Sequence, residues 1–370
     1  MKLKEEKEED QFMKSCVQPL PKYAFRLQFK HSTVVERNTS ASTVDLTIDA
    51  TATWHNFSKF LDLEKGTQLT GVSDLKKYFH RFGYLPSPPV NFTDVFDSSL
   101  ESAVSHYQSK LGLPVTGKID AETLHLIMTP RCGVSDSHSH AQAAVLRQTR
   151  RFEYFNGRPR WVKPAPVTLT YAFSADHTVG YISKDEIRAV FSRAFARWAR
   201  VIPMNFTEVE KYSTADVKIG FYRGDHGDGE PFDGVLGVLA HAFSPESGKL
   251  HLDGAETWAV DFRKERSRVA VDLESVVTHE IGHVLGLAHS TVKDSIMYPN
   301  LSPRTKKVNL RIDDVEGIQA LYGSNPNFEL NSLLSEEFSD NNGCRRGGAG
   351  LWWWLWVASV GLVQMISFML

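Results

Sequence analysis

Hydrophobic positions recur at helical spacing between residues 54 and 128 and predict a small bundle of three helices. The three apolar stripes comprise Phe57, Phe60 and Leu61; Leu75, Tyr78, Phe79 and Phe82; and Leu100, Val104, Tyr107 and Leu111. Gly83 and Gly112 follow the second and third stripes, at positions where a glycine commonly ends a helix. Residues 1–53 are charged and then rich in Ser and Thr, which predicts a disordered or atypical segment.

From residue 155 to residue 323 the pattern alternates between strands and helices. Strands are predicted over Val167–Phe173 and Asp216–Phe221, with a buried apolar run over Val235–Ala242. Amphipathic helices are predicted over Asp185–Arg200, Val271–Ala288 and Asp313–Tyr322. We therefore expect an α+β protein, in which residues 129–154 connect the helical domain to the second domain and residues 324–350 form a polar linker.

Composition narrows the class of protein. The chain has 370 residues, of which 42% are hydrophobic and 23% charged, enough for two soluble domains. Its formal net charge of −2 argues against a nucleic-acid partner. The three cysteines, Cys16, Cys132 and Cys344, are too few and too widely spaced for a disulfide framework.

The two ends of the chain give conflicting indications about location. The uncharged residues 351–370 follow a polar stretch of small residues, which predicts a GPI-anchor signal, with a membrane-spanning helix as the alternative. The first twenty residues contain no apolar segment typical of a secretory signal. We expect an incomplete or misassigned N-terminus and a protein on the extracellular face of the plasma membrane; the alternative is a cytosolic protein with an unusual tail.

A metal-binding pattern occupies the second predicted helix of the α+β region. His279 and His283 are four residues apart, so a helix directs both imidazoles to one face. Gly286 can end that helix with a positive φ angle, which allows the chain to return and His289 to supply a third nitrogen. Three imidazoles leave a fourth zinc position open, as in catalytic sites, and Glu280 is then the predicted general base. The alternative is a chance histidine pattern on a core helix.

A second group of candidate ligands lies upstream. It comprises His226, Asp228, His241 and His251. These four side chains can complete a tetrahedral zinc site with no open position, which is typical of structural zinc. Asp233, Asp253 and Glu256 are hard oxygen donors near glycine-rich backbone, a combination that suits calcium. The alternative is a polar surface loop without metal.

The longer pattern resembles the matrix metalloproteinases, or matrixins, of the metzincin clan. Met297 follows His289 in a segment similar to the Met-turn, and the resemblance covers residues 54–322, in the plant form without a hemopexin-like domain. It implies a zinc-protease domain with a twisted mixed sheet and three helices. The implied ligands are His279, His283 and His289 for a catalytic zinc; His226, Asp228, His241 and His251 for a structural zinc; and Asp233, Asp253 and Glu256, with the carbonyls of Gly234, Leu236 and Val238, for at least one calcium.

Residues 130–136, which we call the latch segment, resemble the matrixin cysteine switch. The resemblance implies that Cys132 is the fourth ligand of the catalytic zinc in the zymogen. Ser135 stands where the family usually has proline. Residues 54–128 resemble a peptidoglycan-binding-like pro-domain. A weak proprotein-convertase site ends at Arg150, and cleavage between Arg150 and Tyr154 by an activating protease is expected to release the latch segment; an exposed basic run is the alternative.

The predicted function is that of a secreted, zinc- and calcium-dependent endopeptidase, made as a zymogen and anchored to the membrane by its C-terminus. Its predicted substrates are extracellular proteins or peptides. One alternative is a catalytically silent protein that binds cell-wall glycan through residues 54–128. A second alternative is a metal hydrolase that cuts small esters or amides but not peptides.

Overall fold

The computed structural model describes residues 54–88, 91–136 and 152–330. The predictions for residues 1–53, for the expected cleavage region before residue 152 and for the C-terminal tail concern parts of the chain outside these ranges. No helix within the described ranges combines the length and the apolar composition needed to cross a bilayer.

The N-terminal part is helical, as expected, but its first element differs from the prediction. The α-helices are α1 (Val72–Arg81), α2 (Ser98–Lys110) and α3 (Ala121–Met128). The stripe that includes Phe57 forms a 3₁₀ helix, His55–Phe60, because only five residues carry the pattern and short helical segments tighten readily. The third α-helix is α3, which begins where the Asp120 side chain accepts a hydrogen bond from the Thr123 amide.

The C-terminal part contains the sheet and three further α-helices. The helices are α4 (Lys184–Val201), α5 (Leu273–Val284) and α6 (Ile312–Tyr322). The strands are β1 (Arg131–Cys132), β2 (Val167–Phe173), β3 (Met204–Glu208), β4 (Val217–Tyr222), β5 (Val238–Ala242), β6 (Lys249–Asp253), β7 (Trp258–Ala259) and β8 (Val271–Asp272). Six strands form one sheet in the order β1-β5-β6-β4-β2-β3, and β7 pairs with β8. Only β5 and β6 are antiparallel among these pairs, so the sheet is mixed, as expected.

Helix α5 is buried along its whole length, which explains its apolar sequence. It packs against α4, where the buried Trp198 indole donates a hydrogen bond of 2.9 Å to the Thr278 carbonyl. The helix begins two residues later than predicted, because Val271 and Asp272 form β8 and the Asp272 side chain caps Ser275. This packing fixes one end of the histidine-bearing helix in the protein core.

Strand β1 comes from the latch segment and forms the edge of the large sheet. Arg131 lies opposite Val238 and Cys132 lies opposite Ala240 in a parallel pairing with β5. The latch segment therefore binds as an added strand, with its cysteine held at the sheet edge next to α5.

Candidate metal centres

The first two predicted zinc ligands are oriented by hydrogen bonds from their outer ring nitrogens. His279 Nδ1 donates to the Ile296 carbonyl at 2.7 Å, and His283 Nδ1 donates to the Leu287 carbonyl at 2.8 Å. Each bond fixes the tautomer, which leaves Nε2 with its lone pair. His279 Nε2 is buried and has no hydrogen-bond partner, as expected for a nitrogen that binds a metal.

Gly286 brings the third histidine back to the first two. Its φ angle is +107°, and α5 ends at Val284 rather than at the predicted Ala288. The turn places His289 Nε2 3.2 Å from His283 Nε2. The return of the chain predicted from this glycine is present in the structure.

Gly286→Ala is expected to lower the free energy of unfolding by about 1–3 kcal/mol. An added Cβ atom would lie 2.4 Å from the Pro159 carbonyl oxygen, in addition to the unfavourable positive φ. Thermal unfolding measures the effect, with Gly157→Ala as a matched control because Gly157 also has a positive φ but has open space around it. Equal losses in the two variants would show that the close contact at Gly286 does not matter.

Cys132 completes the first cluster. Its Sγ atom lies 3.4 Å from His283 Nε2, and the ligand atoms of Cys132, His279, His283 and His289 all lie within 4.8 Å of one another. In a tetrahedron with metal–ligand bonds of about 2.0–2.3 Å, ligand atoms are about 3.3–3.8 Å apart. All four side chains are buried. One soft sulfur and three imidazole nitrogens at this spacing fit zinc.

Main-chain hydrogen bonds hold the latch segment on both sides. The amides of Arg131 and Gly133 donate to the Gly237 and Ala240 carbonyls, at 3.0 and 2.7 Å. On the other side, the Cys132 amide donates to the Pro299 carbonyl at 2.9 Å. The segment therefore fills a cleft between β5 and the chain around Pro299.

A narrow cavity opens beside the cluster. Together with its mouth it encloses about 300 Å³ of empty space. Its walls are mostly apolar and include Leu239, Val276, Ile296, Tyr298, Pro299 and Leu301, with Cys132, His279 and Glu280 also lining it. Both carboxylate oxygens of Glu280 are buried, and burial raises the pKa of this carboxyl to about 8; a cation held by the neighbouring histidines would lower that pKa and keep the carboxylate ionised. A buried carboxyl next to an apolar pocket and three imidazoles is placed for proton transfer.

Met297 is buried against helix α5 at Gly282, which stands between His279 and His283 in the sequence. Its side chain packs so closely on helix α5 that a Cβ atom added at Gly282 would lie 2.2 Å from the Met297 sulfur. Asp314 supports this turn, because its carboxylate accepts hydrogen bonds from the Ile296 and Met297 amides at 2.9 and 3.2 Å. The sequence alone does not single out Asp314, since an acidic residue near a helix start is common and the pattern there indicates only a helix.

The second predicted cluster also comes together. His241 and His251 are direct neighbours across the antiparallel pair β5 and β6. Asp228 Oδ2 lies 2.9 Å from Nε2 of both His226 and His241, and 2.8 Å from His251 Nδ1. The ligand atoms of the four residues lie within 4.8 Å of one another. Burial lowers the pKa of His241 and His251 to about 4, so both are neutral at pH 7 and can bind a metal.

The predicted calcium ligands come from two segments, the loop before β5 and the chain at and just after the end of β6, and they are less tightly clustered than the two histidine groups. Amide groups position the carboxylates: Gly234 donates to Asp253, Leu236 to Glu256 and Val238 to Asp233, at 3.1, 2.8 and 2.8 Å.

Two carboxylate oxygens of these predicted ligands have no hydrogen-bond partner. They are Asp233 Oδ2 and Glu256 Oε2, and both are buried. Burial raises the pKa of Glu256 to about 8 and that of Asp253 to about 6. Gly237 is required here, because a Cβ atom at this position would lie 2.2 Å from an Asp233 oxygen. Buried carboxylate oxygens without partners are the donor type that calcium binds, and a bound cation would favour their ionised form.

Comparison with known proteins places these clusters in a family. Residues 160–323 match the Matrixin family and residues 68–127 match a peptidoglycan binding domain family. The chain is 52% identical to Metalloendoproteinase 1-MMP of Arabidopsis thaliana over 322 residues, 87% of each chain. It is 57% identical to Metalloendoproteinase 4-MMP of the same plant over 270 residues, 73% of this chain and 78% of the relative. It is 38% identical to an interstitial collagenase of Sus scrofa over 265 residues, 70% of this chain and 51% of that protein.

Proposed function

This chain belongs to the matrixin family of zinc metalloendopeptidases, and on that premise we propose that it is an exported protease held inactive by its own latch segment. The observation that supports latency is the convergence of Cys132 with His279, His283 and His289 at metal-ligand spacing. The relatives named above are metalloendoproteinases, which supports proteins or peptides as substrates.

His279, His283 and His289 would hold the catalytic zinc, whose Lewis acidity would polarise the scissile carbonyl and acidify water. Glu280 accepts a proton from the attacking water at a carboxylate oxygen and passes it to the leaving amine nitrogen. The apolar cavity beside Glu280 takes the side chain that follows the scissile bond. Once the latch segment has left, the Gly237 and Ala240 carbonyls on β5 can accept hydrogen bonds from an extended substrate.

Activation requires cleavage before the segment that contains Tyr154. That segment is tied to the protease part, because the Ala288 amide donates to the Glu153 carbonyl at 2.9 Å and the Tyr154 hydroxyl donates to the Gly317 carbonyl at 2.8 Å. An activating protease that cuts between Arg150 and Tyr154 therefore separates the latch segment from the remaining enzyme. The basic run that ends at Arg151 supports this position.

The other two sites would stabilise the fold. His226, Asp228, His241 and His251 would hold a structural zinc. Asp233, Asp253 and Glu256, with carbonyls of Gly234, Leu236 and Val238, would hold calcium. The apolar residues 351–370 support a GPI anchor, and with it a location on the extracellular face of the plasma membrane.

Asp253→Asn is expected to remove the stabilisation of the protein by calcium. At about a hundred times its Kd, calcium stabilises the wild type by about 2.7 kcal/mol, or about 5–10 °C in Tm. Thermal unfolding with and without added calcium, at constant zinc, measures this difference. Asp225→Asn is the control, because Asp225 is an exposed carboxylate near the same loop. An unchanged calcium response in the Asp253→Asn variant would remove this residue from the site.

The proposed activity is tested with a generic fluorogenic peptide after protease or mercurial activation. We expect cleavage of an internal peptide bond, its loss in the presence of a chelator and its recovery after zinc is restored. Cleavage of small esters alone, with peptides left intact, would favour the metal-hydrolase alternative. No hydrolysis of any substrate by zinc-loaded, processed protein would favour the glycan-binding alternative.

A further inference from the structure

The outer nitrogens of the three clustered histidines do not have equivalent partners. His279 and His283 donate to main-chain carbonyls of Ile296 and Leu287, which belong to the protease part itself. His289 Nδ1 instead lies 2.6 Å from Oδ1 of Asp136, the last residue of the latch segment. The third imidazole is therefore oriented by a carboxylate that leaves when the latch segment leaves.

Asp136 is held rigidly for this contact. The same Oδ1 atom accepts a hydrogen bond of 2.7 Å from Arg131, and Oδ2 accepts one of 2.6 Å from the Tyr84 hydroxyl. The Asp136 amide donates to the Phe82 carbonyl at 3.1 Å, and the Arg131 guanidinium stacks 3.7 Å from the centre of the Phe82 ring. Arg131 and Asp136 have fully buried side chains. Asp136 is thus fixed by three residues, Arg131 of the latch segment and Phe82 and Tyr84 just after α1.

The charge of Asp136 suits a histidine that binds a metal. The buried Asp136 carboxyl lies 2.7 Å from the Arg131 guanidinium, whose positive charge stabilises it as a carboxylate. A carboxylate accepts the Nδ1 proton of His289, so that Nε2 keeps its lone pair on the side of Cys132 and the other histidines. A carboxylate at Nδ1 also makes Nε2 a stronger electron-pair donor to a metal than a main-chain carbonyl at Nδ1 would.

We propose that Asp136 is a positioning residue that strengthens the binding of catalytic zinc in the zymogen by orienting His289. This inference rests on the proposed zinc site and adds a second role to the latch segment. Cys132 would occupy the fourth coordination position of the zinc. Asp136 would strengthen zinc binding by His289, a ligand that the active enzyme keeps. Removal of the latch segment therefore weakens the hold on zinc through two separate groups.

The test is the rate at which zinc passes from the intact zymogen to a coloured chelator. Asp136→Asn keeps the shape of the side chain but removes its charge, and we expect zinc loss about 10–100-fold faster than in the wild type. Asp74→Asn is the matched control, because it makes the same substitution at an exposed carboxylate of α1 that pairs with Lys77; its rate should stay within about twofold of the wild type. Equal rates for Asp136→Asn and the wild type would overturn the inference.

A second measurement needs no variant of the latch segment. In the ¹⁵N-labelled, zinc-loaded wild type, NMR should detect a slowly exchanging Nδ1–H proton of His289 in the zymogen and lose it after processing. Persistence of that signal in the processed enzyme would also overturn the inference. A wild-type zymogen that binds no zinc at the histidine cluster would instead contradict the proposed metal centre, so the two failures are distinguishable.

Discussion

Glu280→Gln is expected to lower kcat/KM of the processed enzyme by about 10²–10⁴-fold while zinc stays bound. Glutamine has nearly the same shape but cannot accept a proton at neutral pH. The side chain at position 280 stays next to His279 on the buried helix α5, so the three histidines keep their geometry. The loss should therefore appear in catalysis and leave the metal content unchanged.

The measurement combines peptide cleavage with elemental analysis of the same sample. Glu274→Gln is the control. Glu274 lies on the same helix, but it pairs with Arg193 and Arg197 and is not among the residues that line the cavity. It should lower stability and leave the chemistry largely intact. Full activity of Glu280→Gln, or loss of zinc from it, would contradict the role of Glu280 as general base.

Cys132→Ser is expected to raise the activity of the uncleaved protein at least about tenfold. A serine hydroxyl is a much poorer zinc ligand than a thiolate, so the fourth position becomes accessible to water. The main-chain hydrogen bonds of the latch segment remain, including that from Gly133 to Ala240. Activity should therefore stay below that of the processed enzyme.

Peptide cleavage by purified uncleaved protein, with its intact length checked by mass spectrometry, measures this change. Cys344→Ser is the control, since it removes a thiol outside the predicted ligand set. If Cys132→Ser stayed as silent as the wild type until cleavage, the sulfur would not be what holds the zymogen inactive.

The sequence predicts the histidine cluster well because its geometry is local. Because His279 and His283 are four residues apart, helix periodicity places them on one face. Gly286 predicts the turn that brings His289 back to them. The second cluster spans 25 positions, from His226 to His251, and depends on the pairing of β5 with β6. Its four residues were therefore predicted mainly from the resemblance to the family pattern.

Contacts between distant parts of the chain could not be predicted in the same way. The contact between Asp136 and His289 spans 153 positions and depends on how the helical part sits on the sheet. Tyr84 and Asp314 carry no recognisable pattern, because each acts through a single hydrogen-bonding group. The 3₁₀ helix before α1 was predicted as an ordinary helix, since side-chain periodicity over five residues does not distinguish the two.

The most direct test of the account is anomalous X-ray diffraction at the zinc edge from crystals of the uncleaved protein. We predict a zinc ion bonded to Cys132 Sγ and to Nε2 of His279, His283 and His289. A zinc ion bound by the three histidines with the Cys132 sulfur turned away, or no zinc at this position, would contradict it.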